Sequence, residues 1–351
     1  MENHVKDFIL IFTSILYEAM PFIVLGAVVA GILEVLVPQR IIARIIPRSR
    51  VLAIAIGGLL GLLFPMCECG IIPVMRRLLR KGVPLSCCVS YLLAGPIINV
   101  VVMLSTWVAF SGMETVTDPS GLPAHQFGGV MMTGMRVGIG FLVAFGTSLI
   151  VEWQFRKHGN RLLAPLAVAD TKAAEAGLGQ NGDDDAPKVP WSQKIDSIAE
   201  TALHDFIDIT VYLVIGALVA ALSRQLLNHE QVEALSRSQP ALAILAMMGL
   251  AIVLCLCSEA DAFVAASYIM VRPAAKMAFL VLGPMLDFKL YMMYTRVFRP
   301  RLIWTIISSV VVQVFIYALI VHFIWEGYWA AHPQVKAVAA AQAPGGPGKL
   351  R

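Results

Sequence analysis

The sequence predicts an all-α polytopic membrane protein with two inverted repeats, each containing three full transmembrane helices and a broken or re-entrant helical hairpin. Three observations support this prediction. Hydrophobic residues make up 58% of the 351 residues and charged residues only 14%, against roughly 25% charged residues in ordinary soluble domains. Several apolar runs exceed the ~18–20 residues that are needed to cross a bilayer. The two halves of the chain also match one another in sequence.

The internal duplication is visible at a constant offset of 188 residues. Apolar matches between membrane segments arise easily by chance, whereas matched Cys-x-Cys and Gly-Pro pairs at one ungapped offset do not. A repeated unit of this size indicates two copies of one helical arrangement. The matched polar and special residues are Cys67 with Cys255, Cys69 with Cys257, and Gly95-Pro96 with Gly283-Pro284.

The distribution of basic residues predicts that the second copy is inverted. Loops 38–50 and 76–83 are both rich in Arg and Lys, which mark cytoplasmic loops, yet only one apolar unit separates them. A re-entrant hairpin would leave both loops inside, with Cys67–Gly70 at its tip. Three crossings per half then reverse the orientation of the second half. The alternative is four full spans per half and parallel repeats, with one basic loop outside.

The predicted organisation has four parts. Residues 1–153 form the first transmembrane repeat, 154–194 a polar cytoplasmic linker, 195–328 the second, inverted repeat, and 329–351 a disordered tail. Broken segments within inverted repeats are a recurring transporter plan, with the substrate site near the bilayer midplane. The expected full spans are 8–37, 84–110, 128–153, about 197–223, 274–295 and 302–326.

Four paired cysteines are the first candidates for chemistry. They lie within apolar segments, where we expect free thiols because disulfide frameworks belong to small secreted domains. Thiolates are soft ligands that suit copper(I), zinc and related ions. Four of them could complete a tetrahedral site if the two breaks meet. The four are Cys67, Cys69, Cys255 and Cys257.

Shared ligation by a Cys-x-Cys pair requires irregular backbone, because residues i and i+2 of a helix point about 200° apart. Pro65 and Gly70 favour such a break at the first pair, and the second pair has neither residue type nearby. The alternative is that the cysteines are small apolar packing residues. That interpretation is the preferred one for Cys87 and Cys88, which have no matching cysteine in the repeat.

Acidic residues in the apolar segments are the second set of candidates. Each ionised acid at the bilayer centre costs ~2.5–3.5 kcal/mol on insertion scales, so these acids must be neutral, hydrated or facing a cation. The alternative is ion pairing with Arg272, Lys276 or Lys289. The four acids are Glu68, Glu259, Asp261 and Asp287.

Two further groups are weaker candidates. Asn99 and Asp287 each follow a matched Gly-Pro pair by about one turn, where a carbonyl freed by proline could join them in a cation or water site; a simple kink with a polar neighbour is the alternative. The candidates for proton coupling are Glu18, His204 and Asp208. The alternative is that these polar residues only mark a helix end that is exposed to water.

The residues around the first break resemble a known family. The stretch 64–73, which reads Phe-Pro-Met-Cys-Glu-Cys-Gly-Ile-Ile-Pro, the basic 76–82 and Gly95-Pro96 are similar to the predicted permease family that includes the arsenical efflux permeases. Segments 257–263 and 282–287 look like its branch described as copper/zinc efflux transporters. The resemblance covers about residues 8–326. It implies a bacterial inner-membrane efflux permease.

We therefore expect an inner-membrane efflux permease that exports a soft metal ion, zinc or copper, or a metalloid. Its Cys/acid site would lie between the two inverted repeats, and proton counter-flow would drive export. Carboxylates favour a divalent cation over trivalent arsenic, which needs mainly thiols. The expected substrate or metal ligands are Cys67, Glu68, Cys69, Cys255, Cys257, Glu259, Asp261, Asn99 and Asp287.

Several alternatives stay open at this stage. The first is an arsenite or organoarsenical efflux permease, and another class is a membrane thiol oxidoreductase, although such enzymes usually use Cys-x-x-Cys. A structural subunit with inert cysteines is a third. The sequence contains no Walker A motif and no His-Glu-x-x-His, so we expect that ATP hydrolysis on this chain does not drive transport. For a permease of this kind we expect no enzymatic activity and no cofactor. The expected partners are the lipid bilayer and the transported ion, with no nucleic acid, and a homo-oligomer is left open.

Overall fold

A computed structural model describes residues 2–36, 47, 49–64, 66–111, 127–159, 191–225, 239–268 and 271–331. Within these residues the chain forms twelve α-helices and no β-strand. Several sequence-based predictions concern residues outside this set. They include Pro65 beside the first cysteine pair, most of the basic loop 38–50, the greater part of the linker, and the tail from residue 332.

The helices follow one order in both halves: a long helix, four short helices and a second long helix. In the first half they are α1 (Glu2–Leu36), α2 (Arg50–Leu63), α3 (Glu68–Arg80), α4 (Leu85–Ala94), α5 (Val100–Phe110) and α6 (Gly129–His158). In the second half they are α7 (Trp191–Gln225), α8 (Pro240–Leu254), α9 (Asp261–Ser267), α10 (Pro273–Leu282), α11 (Phe288–Val297) and α12 (Pro300–Ala331).

The four long helices, α1, α6, α7 and α12, are each long and apolar enough to cross a membrane. Their outer faces carry large apolar side chains that no other helix covers, such as Leu10, Val130, Trp304 and Phe323. Apolar surface on this scale, on helices of this length, is typical of a membrane protein. The structure thus confirms the predicted all-α polytopic membrane protein.

The third predicted span of each half is divided into two half-helices. The span 84–110 is interrupted at residues 95–99, and the span 274–295 at residues 283–287. Each interruption begins at a Gly-Pro pair, and proline cannot donate the backbone hydrogen bond that would continue the helix. Each half therefore has two continuous long helices and one split span, where three full helices were expected.

Asn99 and Asp287 begin the second half-helix of these split spans. The Asn99 side chain accepts a hydrogen bond of 2.9 Å from the Val101 N–H. The Asp287 carboxylate accepts one of 2.6 Å from the Leu290 N–H. Both residues are therefore helix N-caps, and the two halves use a matched pair of side chains for the same local purpose.

The two halves interlock through their short helices. The long helices pair across the halves, α1 with α7 and α6 with α12. Half-helices also pair across the halves, α3 with α11 and α5 with α9. The starts of these half-helices carry the polar side chains, so this packing brings the breaks of both halves into one buried region.

Glycines allow the long helices to lie close to the half-helices. A Cβ on Gly26 of α1 would lie 2.6 Å from the carbonyl oxygen of Gly70 in α3. A Cβ on Gly216 of α7, which matches Gly26 at an offset of 190 residues, would lie 2.7 Å from the Cα of Lys289 in α11. Small residues at such crossings let backbones approach within a membrane.

Candidate functional site

The first break brings two thiols together. Cys67 precedes α3 in an extended conformation, with φ −70° and ψ 169°, whereas Cys69 lies in the first turn of that helix. The two thiols lie close enough to interact electrostatically. This is the irregular backbone that shared ligation by a Cys-x-Cys pair requires. Both cysteines are buried and free of disulfides.

The second break forms without proline or glycine. Cys255, which ends α8, has φ 48° and ψ 43°, and no other non-glycine residue of the described chain has a positive φ. A left-handed residue costs roughly 1–2 kcal/mol, so the surrounding packing must impose this turn. Residues 255–260 are not helical, and α9 begins at Asp261.

Three of the four paired thiols share one region, and Cys255 lies apart. Cys257 interacts electrostatically with Cys67 and with Cys69 across the two breaks. The Cys255 thiol instead donates a 3.2 Å hydrogen bond to the carbonyl oxygen of Ile252. It packs in a separate apolar cluster between α1 and α7. A site with four thiols is therefore not assembled in this conformation.

Glu68 joins the two halves through a buried ion pair. Its carboxylate accepts a 2.9 Å hydrogen bond from Nζ of Lys289 in α11 and a 3.3 Å bond from the Ser258 hydroxyl of the second break. Lys289 Nζ is also 3.8 Å from an oxygen of Asp287. The Glu68 and Lys289 side chains are each 1% exposed. For Glu68 and Asp287, the structure therefore contains the ion pairing with Lys289 that was the alternative interpretation of these acids.

Arg136 of α6 binds Asp261, one of the two acids of the second break. It donates hydrogen bonds to Asp261 (2.7 Å), to the carbonyl oxygen of Ser258 (3.2 Å) and to the Thr106 hydroxyl (2.7 Å). We did not identify Arg136 from the sequence. It is an isolated arginine within an otherwise apolar span, and an ionisable residue in that position is itself a signal for a functional contact.

A second group of ligand-type atoms lies where α1 passes the second break. One ligand atom from each of Glu18, Cys257 and Glu259 lies within 4.8 Å of the other two. Both carboxylate oxygens of Glu259 are enclosed, and neither has a hydrogen-bond partner among the described residues. Glu18, which we expected to carry protons, is therefore positioned beside the thiol of Cys257.

The other expected proton carriers lie elsewhere. Asp208 is 3.6 Å from Arg76 of α3, and both residues line a small cavity with Ile72, Ile209, Tyr212 and Met293. His204 is exposed on α7 and does not line this cavity.

Asp205, which the sequence analysis missed, is buried 3.8 Å from Arg76 and accepts hydrogen bonds of 2.7 and 3.1 Å from Arg77. Its spacing of three residues from Asp208 places both on one helix face, which is the signal that could have identified it.

The chain matches the ArsP_1 family, described as "Predicted permease", over residues 4–323. It is 36% identical to "UPF0718 protein YcgR" of Bacillus subtilis over 89% of this chain and 95% of that protein. It is 32% identical to the "Putative two-component membrane permease complex subunit" of Streptococcus mutans over 91% of this chain and 97% of that protein. Neither name states a substrate. No solved structure matches the chain.

Proposed function

The chain belongs to the ArsP_1 family of permeases and is a multi-pass cell-membrane protein, and on this premise we propose that it is an efflux permease for a soft metal ion or metalloid. The substrate site is the buried region where the two helix breaks meet. The metal ion or metalloid is the cargo, which the protein binds and releases.

One observation carries this proposal: two breaks, one from each half, place the thiols of Cys67, Cys69 and Cys257 within electrostatic range of one another, beside Glu68. Soft thiolate ligands select ions such as copper(I) and zinc, or trivalent arsenic, over magnesium and calcium. Non-helical backbone is tolerated at membrane depth where protein or a water-filled cavity surrounds it. A broken segment that carries buried thiols in non-helical backbone is suited to a substrate site.

The charges of the region favour a metal cation over a metalloid. Five acids lie in or beside it, namely Glu18, Glu68, Glu259, Asp261 and Asp287, and two bases pair with them, namely Lys289 and Arg136. If all ionise, the region has an excess of negative charge that a divalent cation can offset. We therefore favour zinc or copper, in keeping with the resemblance to the copper/zinc branch.

The second candidate is arsenite or an organoarsenical. Trivalent arsenic binds chiefly to thiols, and Cys67, Cys69 and Cys257 supply three thiols in one group. The two candidates differ in their dependence on the acids. A divalent cation requires both thiols and carboxylates, whereas arsenic requires the thiols alone.

Proton exchange is the expected driving reaction. Thiols must lose their protons when they bind a metal, so loading of the site releases protons and unloading takes them up. Acids beside the thiols provide a route for these protons. In this scheme the substrate enters from the cytoplasm, binds at the breaks, and leaves on the other side as one half moves against the other.

Uptake into everted membrane vesicles tests the proposal. We expect vesicles with the wild-type protein to accumulate Zn²⁺ or Cu⁺, and Cys67→Ala to abolish accumulation. Cys88→Ala is the matched control, because Cys88 is equally buried in α4 but lies outside the thiol group. Accumulation of arsenite that survives Glu68→Gln would favour the metalloid. Equal uptake of every substrate by Cys67→Ala and wild type would contradict the proposed site.

A further inference from the structure

We propose that Glu18, Cys257 and Glu259 form a coordination site for a borderline divalent cation of the Zn²⁺ class. The site lies between α1 and the second break, and through Cys257 it adjoins the group that contains Cys67, Cys69 and Glu68. The proposal that the exported ion binds here first rests on the proposed permease function. The ability of the site to bind a cation does not depend on that function.

The three ligand atoms are nearly close enough to one another to bind a single metal ion. The three ligand atoms lie within 4.8 Å of one another. In a tetrahedral zinc complex with bonds of about 2.0–2.3 Å, neighbouring ligand atoms are about 3.6 Å apart. The group must therefore contract by about 1 Å, a displacement that side-chain rotation of the two glutamates can provide.

Glu259 supplies an independent indication that a cation belongs here. Both of its carboxylate oxygens are enclosed by protein and have no hydrogen-bond partner among the described residues. A buried polar group without a partner is costly, and native proteins rarely leave one. Cys257, directly beside it, is 3% exposed. A cation bound between these two side chains would give the Glu259 carboxylate and the Cys257 sulfur a partner of opposite charge.

The two fixed cations of the region donate their hydrogen bonds to other acids. Lys289 donates to Glu68 and lies beside Asp287, and Arg136 donates to Asp261. The protein thus neutralises three acids with its own side chains. Glu259 receives no hydrogen bond from either base. Glu68, Asp261 and Asp287 are thus neutralised by protein side chains, whereas neither of these two bases neutralises Glu259.

The ligand types define the class of ion. One sulfur and two carboxylates form a mixed set that suits zinc and similar borderline ions. Copper(I) and trivalent arsenic prefer sulfur alone, and magnesium and calcium prefer oxygen alone. Three protein ligands also leave a fourth position open, as in zinc sites that exchange a ligand. An open position suits an ion that must be released again.

Zn²⁺ binding to the purified full-length protein tests this site. We expect wild-type protein to bind Zn²⁺ in equilibrium dialysis, and Glu18→Gln, Glu259→Gln and Cys257→Ser each to weaken binding by at least about 10-fold, the lower bound for losing even a supporting contact of a metal site. Glu200→Gln, on the exposed face of α7, is the matched control and should bind as wild type. Thermal unfolding of each variant checks that the fold is intact.

X-ray absorption of the protein loaded with one equivalent of Zn²⁺ provides a second readout, because the first ion should occupy this site before the group that contains Cys67 and Cys69. The proposal predicts a first shell with one sulfur and the remainder oxygen. A shell with three sulfurs, or Zn²⁺ affinity unchanged in both glutamine variants at positions 18 and 259, would overturn it.

Vesicle transport separates this inference from the proposed function. If Cys67→Ala abolishes transport while Glu18→Gln and Glu259→Gln bind and transport Zn²⁺ as wild type does, the permease function stands and this site is wrong. If the glutamine variants lose Zn²⁺ binding and wild-type vesicles transport neither metal nor metalloid, the site stands and the proposed function is wrong.

Discussion

Lys289 is a protein cation held inside the region where a cationic substrate is expected to bind. Its ammonium group is 2.9 Å from Glu68 and 3.8 Å from Asp287, and its side chain is 1% exposed. An ion pair with this burial gains little net stability, but removal of one partner leaves an uncompensated charge. We infer that Lys289 keeps the first break neutral when no substrate is bound.

The Glu68–Lys289 pair makes a prediction about stability. Lys289→Met should lower the free energy of unfolding by about 3–5 kcal/mol, because Glu68 would be buried without its partner. The double variant Lys289→Met/Glu68→Gln should recover much of this loss. Thermal unfolding of both variants and of Glu68→Gln in detergent measures the coupling. Losses that simply add would contradict a direct ion pair.

Asp287 combines two functions that a single substitution can separate. It caps α11 and it contributes charge beside Lys289. Asn is as good an N-cap as Asp, so Asp287→Asn should keep stability while it reduces metal transport in vesicles. Asp287→Ala should lose the cap as well, at a cost of about 1 kcal/mol. If Asp287→Asn destabilises the protein as much as Asp287→Ala does, capping is not its structural role.

At the scale of single residues, the sequence predicted where the helices break better than it predicted which side chains pair with the buried acids. The duplication identified the second break at Cys255, although it has no proline or glycine, and the structure contains that break. The partners of the acids were harder to predict, because ion pairing depends on which helices meet in space. Lys289 was one of three candidates, and Arg136 was not considered, since it reaches Asp261 from a different half of the chain.

At the scale of helices, the close crossing of α1 and α3 determines where Glu18 lies relative to the breaks. The Gly26–Gly70 contact leaves no space for a side chain on Gly26. The corresponding crossing in the second half, Gly216 against Lys289, brings α7 onto α11. The two long helices therefore pack directly on the half-helices that begin at the site.

A methyl group at this crossing should disturb the site. In Gly26→Ala the added Cβ would lie 2.6 Å from the Gly70 carbonyl oxygen, so α1 must shift and transport should fall. Gly134→Ala in α6 is the control, because nothing lies within 4 Å of the added Cβ. That control should be neutral or stabilising by about 0.5–1 kcal/mol through helix propensity. Thermal unfolding and vesicle uptake measure both effects, and equal behaviour of the two variants would exclude a special role for the crossing.

The split spans show why element boundaries were only partly predictable. Gly-Pro pairs marked the right positions, but a proline within an apolar run is compatible with a kinked continuous helix as well as with two half-helices. The capping of α5 by Asn99 and of α11 by Asp287 decides between them. Capping is a local contact that becomes apparent only when the backbone conformation is known.

At the scale of the whole molecule, the same order of six helices occurs twice. Each half buries its short helices against those of the other, with α3 on α11 and α5 on α9. The duplication in the sequence predicted this repetition. The inversion of the second half stays a prediction, because it was based on the charges of loops that lie largely outside the described residues.

Labelling of introduced cysteines tests the inversion. With inverted repeats, the loop after the first span is inside in the first half and outside in the second. Ser49→Cys should therefore resist a membrane-impermeant maleimide in intact cells, whereas Gln231→Cys should react. The six native cysteines are buried in the structure, so their background should be low. Reaction of both positions, or of neither, would favour parallel repeats.

The central claim is that the two breaks together hold and pass a soft ion. Zn²⁺ flux into proteoliposomes that contain only the purified protein, under an imposed proton gradient, tests it most directly. The account predicts flux with wild type and Cys88→Ala, and none with Cys67→Ala or Cys257→Ala. Flux that is unchanged when both thiols are removed together would contradict it.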